Sequence, residues 1–187
     1  MRATIALVAM LLAGGAVFAA RQPRASGLHA LAHPSADVIA QVDRLAPGAI
    51  ALIESTEADA MARGRPLDSD EIALARGVGV AAPGRVRVVE ESALPGQEQP
   101  GLAALVRLLG ERNPRRWGLT AGYGIVFKSH PPKYLLAHEL RHVAQYERLG
   151  LTGFARRYIT EMLVVGYARA PLETDARKAA APYRGKP

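Results

Sequence analysis

Read for its alternation of apolar and polar positions, the chain divides into an apolar leader, a block of helices, two short strands and a second block of helices. Ala3 to Ala20 is almost unbroken apolar sequence behind Arg2. Residues 20–34, with Pro23, Gly27 and Pro34, carry no periodicity and read as a linker. From Ser35, a residue suited to capping a helix, Val38, Ile39, Val42 and Leu45 recur at helical spacing. Pro47 is expected to start a second helix, with Ile50, Leu52, Ile53, Ala58 and Met61 along it and Gly64 beyond its end. A short third helix should follow Asp68 or Ser69, carry Ile72 and Leu74 inward and stop at Gly77.

The period then changes. R-V-R-V-V-E-E from Arg85 alternates and is rich in β-branched residues, which predicts a strand. Gly101 to Leu109 is apolar at helical spacing. G-Y-G-I-V-F-K, Gly122 to Lys128, predicts a second strand, and S-H-P-P-K after it a turn. A helix should run from Tyr134 to Gly150 and another from about Thr152 to Val165, and Pro171 opens a last one. Residues 182–187 read as a loose tail. These elements predict an α+β fold, mostly helical, with residues 35–181 as the folded domain and a small sheet backing one long helix.

Composition narrows the chemistry. The 187-residue chain has no cysteine, so disulfides, thiolate metal sites and a cysteine nucleophile are all excluded. Any transition-metal site must come from His, Asp and Glu. The net charge is +7, but its arginines are scattered, with small clusters at Arg112, Arg115 and Arg116 and at Arg156 and Arg157. No aromatic-interleaved basic stripe accompanies them, so the expectation is a solvated basic surface and no nucleic-acid partner. Residues 1–19 fit a signal peptide, with Val17 and Ala19 at −3 and −1 of the cleavage site. The apolar run also approaches the lower limit for a membrane span, so an uncleaved anchor over residues 3–20 is the alternative. Either way the expectation is an exported protein, periplasmic or secreted in a bacterial envelope.

The candidate chemistry lies in Y-L-L-A-H-E-L-R-H-V-A-Q. Residues i and i+4 project from one helix face, so His138 and His142 can meet one ion. Glu139 falls about 100° around the helix. Its carboxylate is then beside the ion rather than on it, where it can take a proton from water. Leu136, Leu140 and Val143 supply a separate packing face. A catalytic zinc site needs a third protein ligand. Gln145 and Arg148 stand where a longer H-E-x-x-H-x-x-G-x-x-H motif would place glycine and histidine. A downstream carboxylate is left: Glu173 foremost, with Glu161 and Asp175 as alternatives. If Glu173 is the ligand, Asp175 is expected to hold a ligand histidine through its other N–H.

Val86-Arg87-Val88, then G-Y-G-I-V-F from Gly122 to Phe127, then L-L-A-H-E-L-R-H-V-A-Q from Leu135 to Gln145 resemble compact zincin-like metallopeptidases. In these a strand leads into a leucine-rich H-E-x-x-H helix followed by glutamine. The chain is similar, more broadly, to the gluzincin clan. That resemblance implies a zincin-like fold, zinc-ligand roles for His138, His142 and Glu173, and the role of base for Glu139. Residues before Val86 lie outside it.

Lesser candidates complete the reading. The phenols of Tyr158 and Tyr167 could stabilise an oxyanion. The strand Gly122 to Lys128 could be an edge on which an extended peptide pairs. Trp117 reads as a packing anchor. His29 and His33 read as linker, because Pro34 disfavours the helix that would bring their rings together. The expected function is a zinc-dependent metallohydrolase, a peptidase acting on peptide or protein substrates. The alternative is a non-catalytic metal-binding or protein-interaction module on a zincin scaffold.

Overall fold

The computed structural model describes residues 27–95 and 118–185. The expected signal peptide or anchor, the first part of the linker, the helix at Gly101–Leu109, the Arg112 cluster and Trp117 lie outside the described residues. So do residues 186 and 187.

The fold is α+β and mostly helical, with a small mixed four-stranded sheet. Its elements are α1 (Gly27–Ala32), α2 (Ala36–Arg63), β1 (Arg65–Pro66), α3 (Ser69–Gly77), β2 (Arg87–Glu90), β3 (Gly118–Ala121), β4 (Gly124–Phe127), α4 (Lys133–Val164) and α5 (Pro171–Ala180). The strand order is β1-β2-β4-β3. β2 and β4 run parallel, and the two outer pairs are antiparallel.

The sheet is covered on both faces, and period 2 explains how. Val88, Ile125 and Phe127 point into a core shared with Leu74, Leu136, Leu140 and Val143 of α3 and α4. Val89 and Val126 point the other way, onto Ala60 of α2. A parallel pair buried on both faces needs an unbroken apolar run, and G-I-V-F is one. The first part of α2 packs instead on the second half of α4, where Val42, Ala46 and Ala49 meet Ala155 and Ile159.

Four local expectations are corrected. α2 is one helix through Pro47, not two. Proline removes a single backbone donor, and burial of Ala46 and Ala49 against α4 carries the helix past it. The stretch around His29 and His33 is not wholly linker, because α1 occupies Gly27–Ala32 and brings the two rings to 5.0 Å. Pro34 constrains only the residue before it, and α1 stops just short of that residue. Gly118–Ala121, read as no element, is β3, joined to β4 by a tight turn in which Gly122 takes φ 62°. The tail, finally, is not wholly loose. Residues 181–183 form a 3-10 turn that packs Tyr183 on the main core.

Other signals hold. Ser35 caps α2, and Asp68 with Glu71 forms a capping box on α3. Gly150 interrupts α4 at φ 68°, so the motif half and the second half meet at an angle set by a residue with no Cβ. No helix among the described residues is long and apolar enough to cross a membrane.

Candidate metal centre

His138 and His142 lie one turn apart on the first half of α4, facing the start of α5. Pro171 sets the entry of α5 as its first residue, which leaves Glu173 in the opening turn. The three side chains converge: their ligand atoms lie within 4.8 Å of one another. The histidine Nε2 atoms are 3.2 Å apart. Glu173 Oε2 is 3.3 Å from His138 Nε2, and Oε1 is 3.4 Å from His142 Nε2. Ligands about 2.0–2.1 Å from a tetrahedral ion stand roughly 3.3 Å from each other, so these spacings fit one.

Burial supports the same fit. Glu173 is 2% exposed, and its Oε2 is a buried polar atom with no hydrogen-bond partner. An unpaired buried carboxylate oxygen is costly unless a cation meets it. Two neutral imidazoles and one carboxylate form a donor set suited to a divalent transition metal.

The alternative third ligands are engaged elsewhere. Glu161 is buried, but its Oε2 accepts the backbone N–H of Leu172 at 2.7 Å and its Oε1 meets Arg157 Nε at 3.0 Å. It serves as the cap of α5, which has no other side-chain cap. Asp175 accepts from Arg141 Nε at 2.8 Å and from Gln145 Nε2 at 2.7 Å. The expectation that Asp175 itself holds a histidine is therefore corrected by one step. Gln145 holds His142, and Asp175 holds Gln145.

That relay fixes a tautomer. Gln145 Nε2 points at two groups that can only accept, the Leu172 carbonyl and the Asp175 carboxylate. Its Oε1 must therefore face His142 Nδ1, 2.8 Å away. An amide oxygen only accepts, so Nδ1 carries the hydrogen and the Nε2 lone pair faces the centre. Gln145 is 1% exposed, which leaves the arrangement little freedom. The i, i+3 spacing of His142 and Gln145 was the available sequence signal.

Charge and proton are coupled here. Burial pulls the His142 pKa down, but the charge of Glu173, its hydrogen bond and the nearby Glu139 outweigh it and push it up to about 9. Burial pushes Glu173 up, but the two imidazoles hold it well below the usual carboxylate range. In the metal-free protein the charge of Glu173 favours a second proton on His142, and a cation must compete with it.

Glu139 is buried beside the triad. Thr120 Oγ1, on β3, donates to its Oε2 at 2.7 Å and also to its backbone carbonyl at 3.0 Å. Gly118 allows the close approach, since a Cβ there would lie 2.8 Å from the Phe127 ring and 3.0 Å from Glu139 Oε1. Nothing in the sequence pointed to Thr120.

All four motif-derived residues line one cavity of about 340 Å³. Its walls are α2, β3, both halves of α4, α5 and the C-terminal turn. Among the described strands β3 is the outer one on this cavity, whereas the strand read as a pairing edge, now β4, is interior. Tyr158 also lines the cavity. Its hydroxyl donates to Glu173 Oε1 at 2.7 Å. Tyr167 lines the cavity and is 41% exposed.

No family model, curated protein or solved structure matches the chain.

Proposed function

We propose that this chain is a zinc-dependent metallohydrolase with a zincin-like fold, a peptidase acting outside the cytoplasm. The observation that carries the reading is Glu139. Its carboxylate is buried on the same cavity as the three converging ligands, and Thr120 orients it. A site that only stored or displayed a metal would need no such group.

His138 Nε2, His142 Nε2 and a Glu173 oxygen would hold the ion. When bound, a divalent ion there supplies Lewis acidity and lowers the pKa of a water toward about 7. Glu139 accepts the water's proton on Oε1, the oxygen that Thr120 does not hold, and then carries it to the leaving amine. Thr120 keeps the other oxygen turned away. Gln145 and Tyr158 hold a histidine and the glutamate in ligand orientation.

Metal analysis of the purified protein tests the reading. About one zinc per chain is expected in the wild type and none in His138→Ala. Glu139→Gln should keep the zinc and lose peptide hydrolysis by roughly 10²–10⁴-fold. Zinc retained with hydrolysis undiminished would remove Glu139 as the base. Failure of the wild type to take up zinc on dialysis would remove the metal site.

A further inference from the structure

The described lining of the cavity falls into two chemically different sets. One is apolar: Leu52 and Ile53 of α2 face Phe154, Ala155 and Ile159 from the second half of α4. The other carries two cationic residues among those described, Arg177 and Arg184. Among the described residues the acidic lining is Glu139 and Glu173, and both are already engaged, by Thr120 and by the histidines.

Arg177 makes one long ion pair, to Glu173, and Arg184 makes none among the described residues. Arg177 is fixed by two neutral acceptors, the Ala168 carbonyl at 2.8 Å and Thr174 Oγ1 at 2.9 Å. Its nearest carboxylate oxygen, Glu173 Oε2, is 3.7 Å away and faces His138. Arg184 is exposed, makes no ion pair among the described residues, and lies 5.9 Å from the centre of the Tyr134 ring. Tyr134, 39% exposed, lines the same cavity. A fixed guanidinium with spare donors is suited to a carboxylate.

We infer that the substrate presents an apolar side chain to the Leu52–Ile53 wall and a carboxylate to Arg177 and Arg184. At about 340 Å³ the cavity is at the small end for a ligand pocket and suits one or two side chains rather than a long segment. The carboxylate is either a peptide C-terminus or an acidic side chain next to the apolar one. The inference deepens the peptidase reading of the same site and rests on it for chemistry, but not for recognition.

Binding separates the two. The protein is zinc-loaded Glu139→Gln, which cannot consume the probe. The probes are acetyl-Ala-Ala-Leu as the free acid and as the amide, acetyl-Ala-Ala-Ser as the free acid, and acetyl-Ala-Leu-Glu amide. At low salt the leucine acid, or the glutamate amide, should bind about tenfold tighter than the leucine amide. Which of the two wins identifies the source of the carboxylate. The leucine acid should also beat the serine acid. Arg184→Gln, an exposed change that spares the fold, should remove most of the acid-over-amide preference with zinc content unchanged, and Arg177→Gln should act in the same direction. Leu52→Trp should remove the leucine-over-serine preference while the acid preference persists; Ile53→Ala, less buried, reports on the same wall if Leu52→Trp does not fold.

Equal binding of acid and amide probes would overturn the inference. So would an acid preference untouched by both arginine variants, since the carboxylate would then be on the ion. Selective binding without cleavage by the wild type would sink the peptidase reading and leave the recognition standing. Cleavage with no selectivity would do the reverse.

Discussion

The phenol of Tyr158 donates a 2.7 Å hydrogen bond to Oε1 of Glu173. One oxygen of the ligand carboxylate is thereby satisfied by a neutral donor, and the other is buried without a hydrogen-bond partner, 3.3 Å from His138 and 3.7 Å from Arg177. The pair orients the carboxylate without neutralising it, so its charge is available to whichever cation reaches the centre. In the metal-free protein the same charge raises the affinity of His142 for a proton.

This sets opposite pH dependences for the metal-free and loaded forms. The folded-state pKa of His142, about 9, lies above its ordinary 6.5. Its contribution to stability is therefore complete below pH 6.5 and is lost as pH rises through about 9. Glu173 is depressed, so its contribution is present above about 4.5 and lost only at strongly acidic pH. Both shifts describe one pairing and count once. The metal-free protein should be most stable near pH 5–6 and lose on the order of 3 kcal/mol by pH 9. Urea unfolding in chelator across that range checks it. Zinc affinity should move the other way, tightening by up to about tenfold per unit between pH 6.5 and 9 as the proton ceases to compete.

Gln145→Leu should weaken zinc binding roughly 10–100-fold, because His142 loses the acceptor that orients its ring. Asp175→Asn, one step further out, should cost less, and Glu173→Ala should cost most. Competition with a fluorescent chelator ranks the three. An Asp175 variant weaker than the Glu173 variant would reassign the ligand.

Thr120→Val should leave zinc content unchanged and slow hydrolysis by roughly tenfold, since only the orientation of Glu139 is lost. Gly118→Ala should act in the same direction, because the added methyl meets both Glu139 and the Phe127 ring. Loss of metal in either variant would mean that β3 supports the ligands rather than the base.

Glu161→Ala should destabilise the fold without abolishing the site. It leaves the buried Leu172 N–H without an acceptor at the start of α5, at a cost of about 1–3 kcal/mol. Thermal unfolding of the metal-free protein should shift down by roughly 2–10 °C. A zinc stoichiometry that fell while stability held would make Glu161 a ligand after all.

What the chain determined locally was legible in it. His138, Glu139 and His142 share their geometry through helical periodicity alone, and Gly150, Ser35 and Asp68 act within a few residues of themselves. Non-local partners were not legible. Glu173 stands foremost in the sequence with Glu161 and Asp175 as alternatives, and only the packing of α5 on α4 gives each its own neighbour: two imidazoles, a backbone N–H, or an arginine and an amide. β3 is four residues long, begins at a glycine and is followed by another, so its strand character comes from the ladder with β4 and not from propensity. Pro47 ends no helix because burial against α4 outweighs one missing hydrogen bond. Local rules act through bonds a few residues long, whereas the third ligand, the edge strand and the cavity depend on which surfaces meet, and that is settled only when the whole core closes.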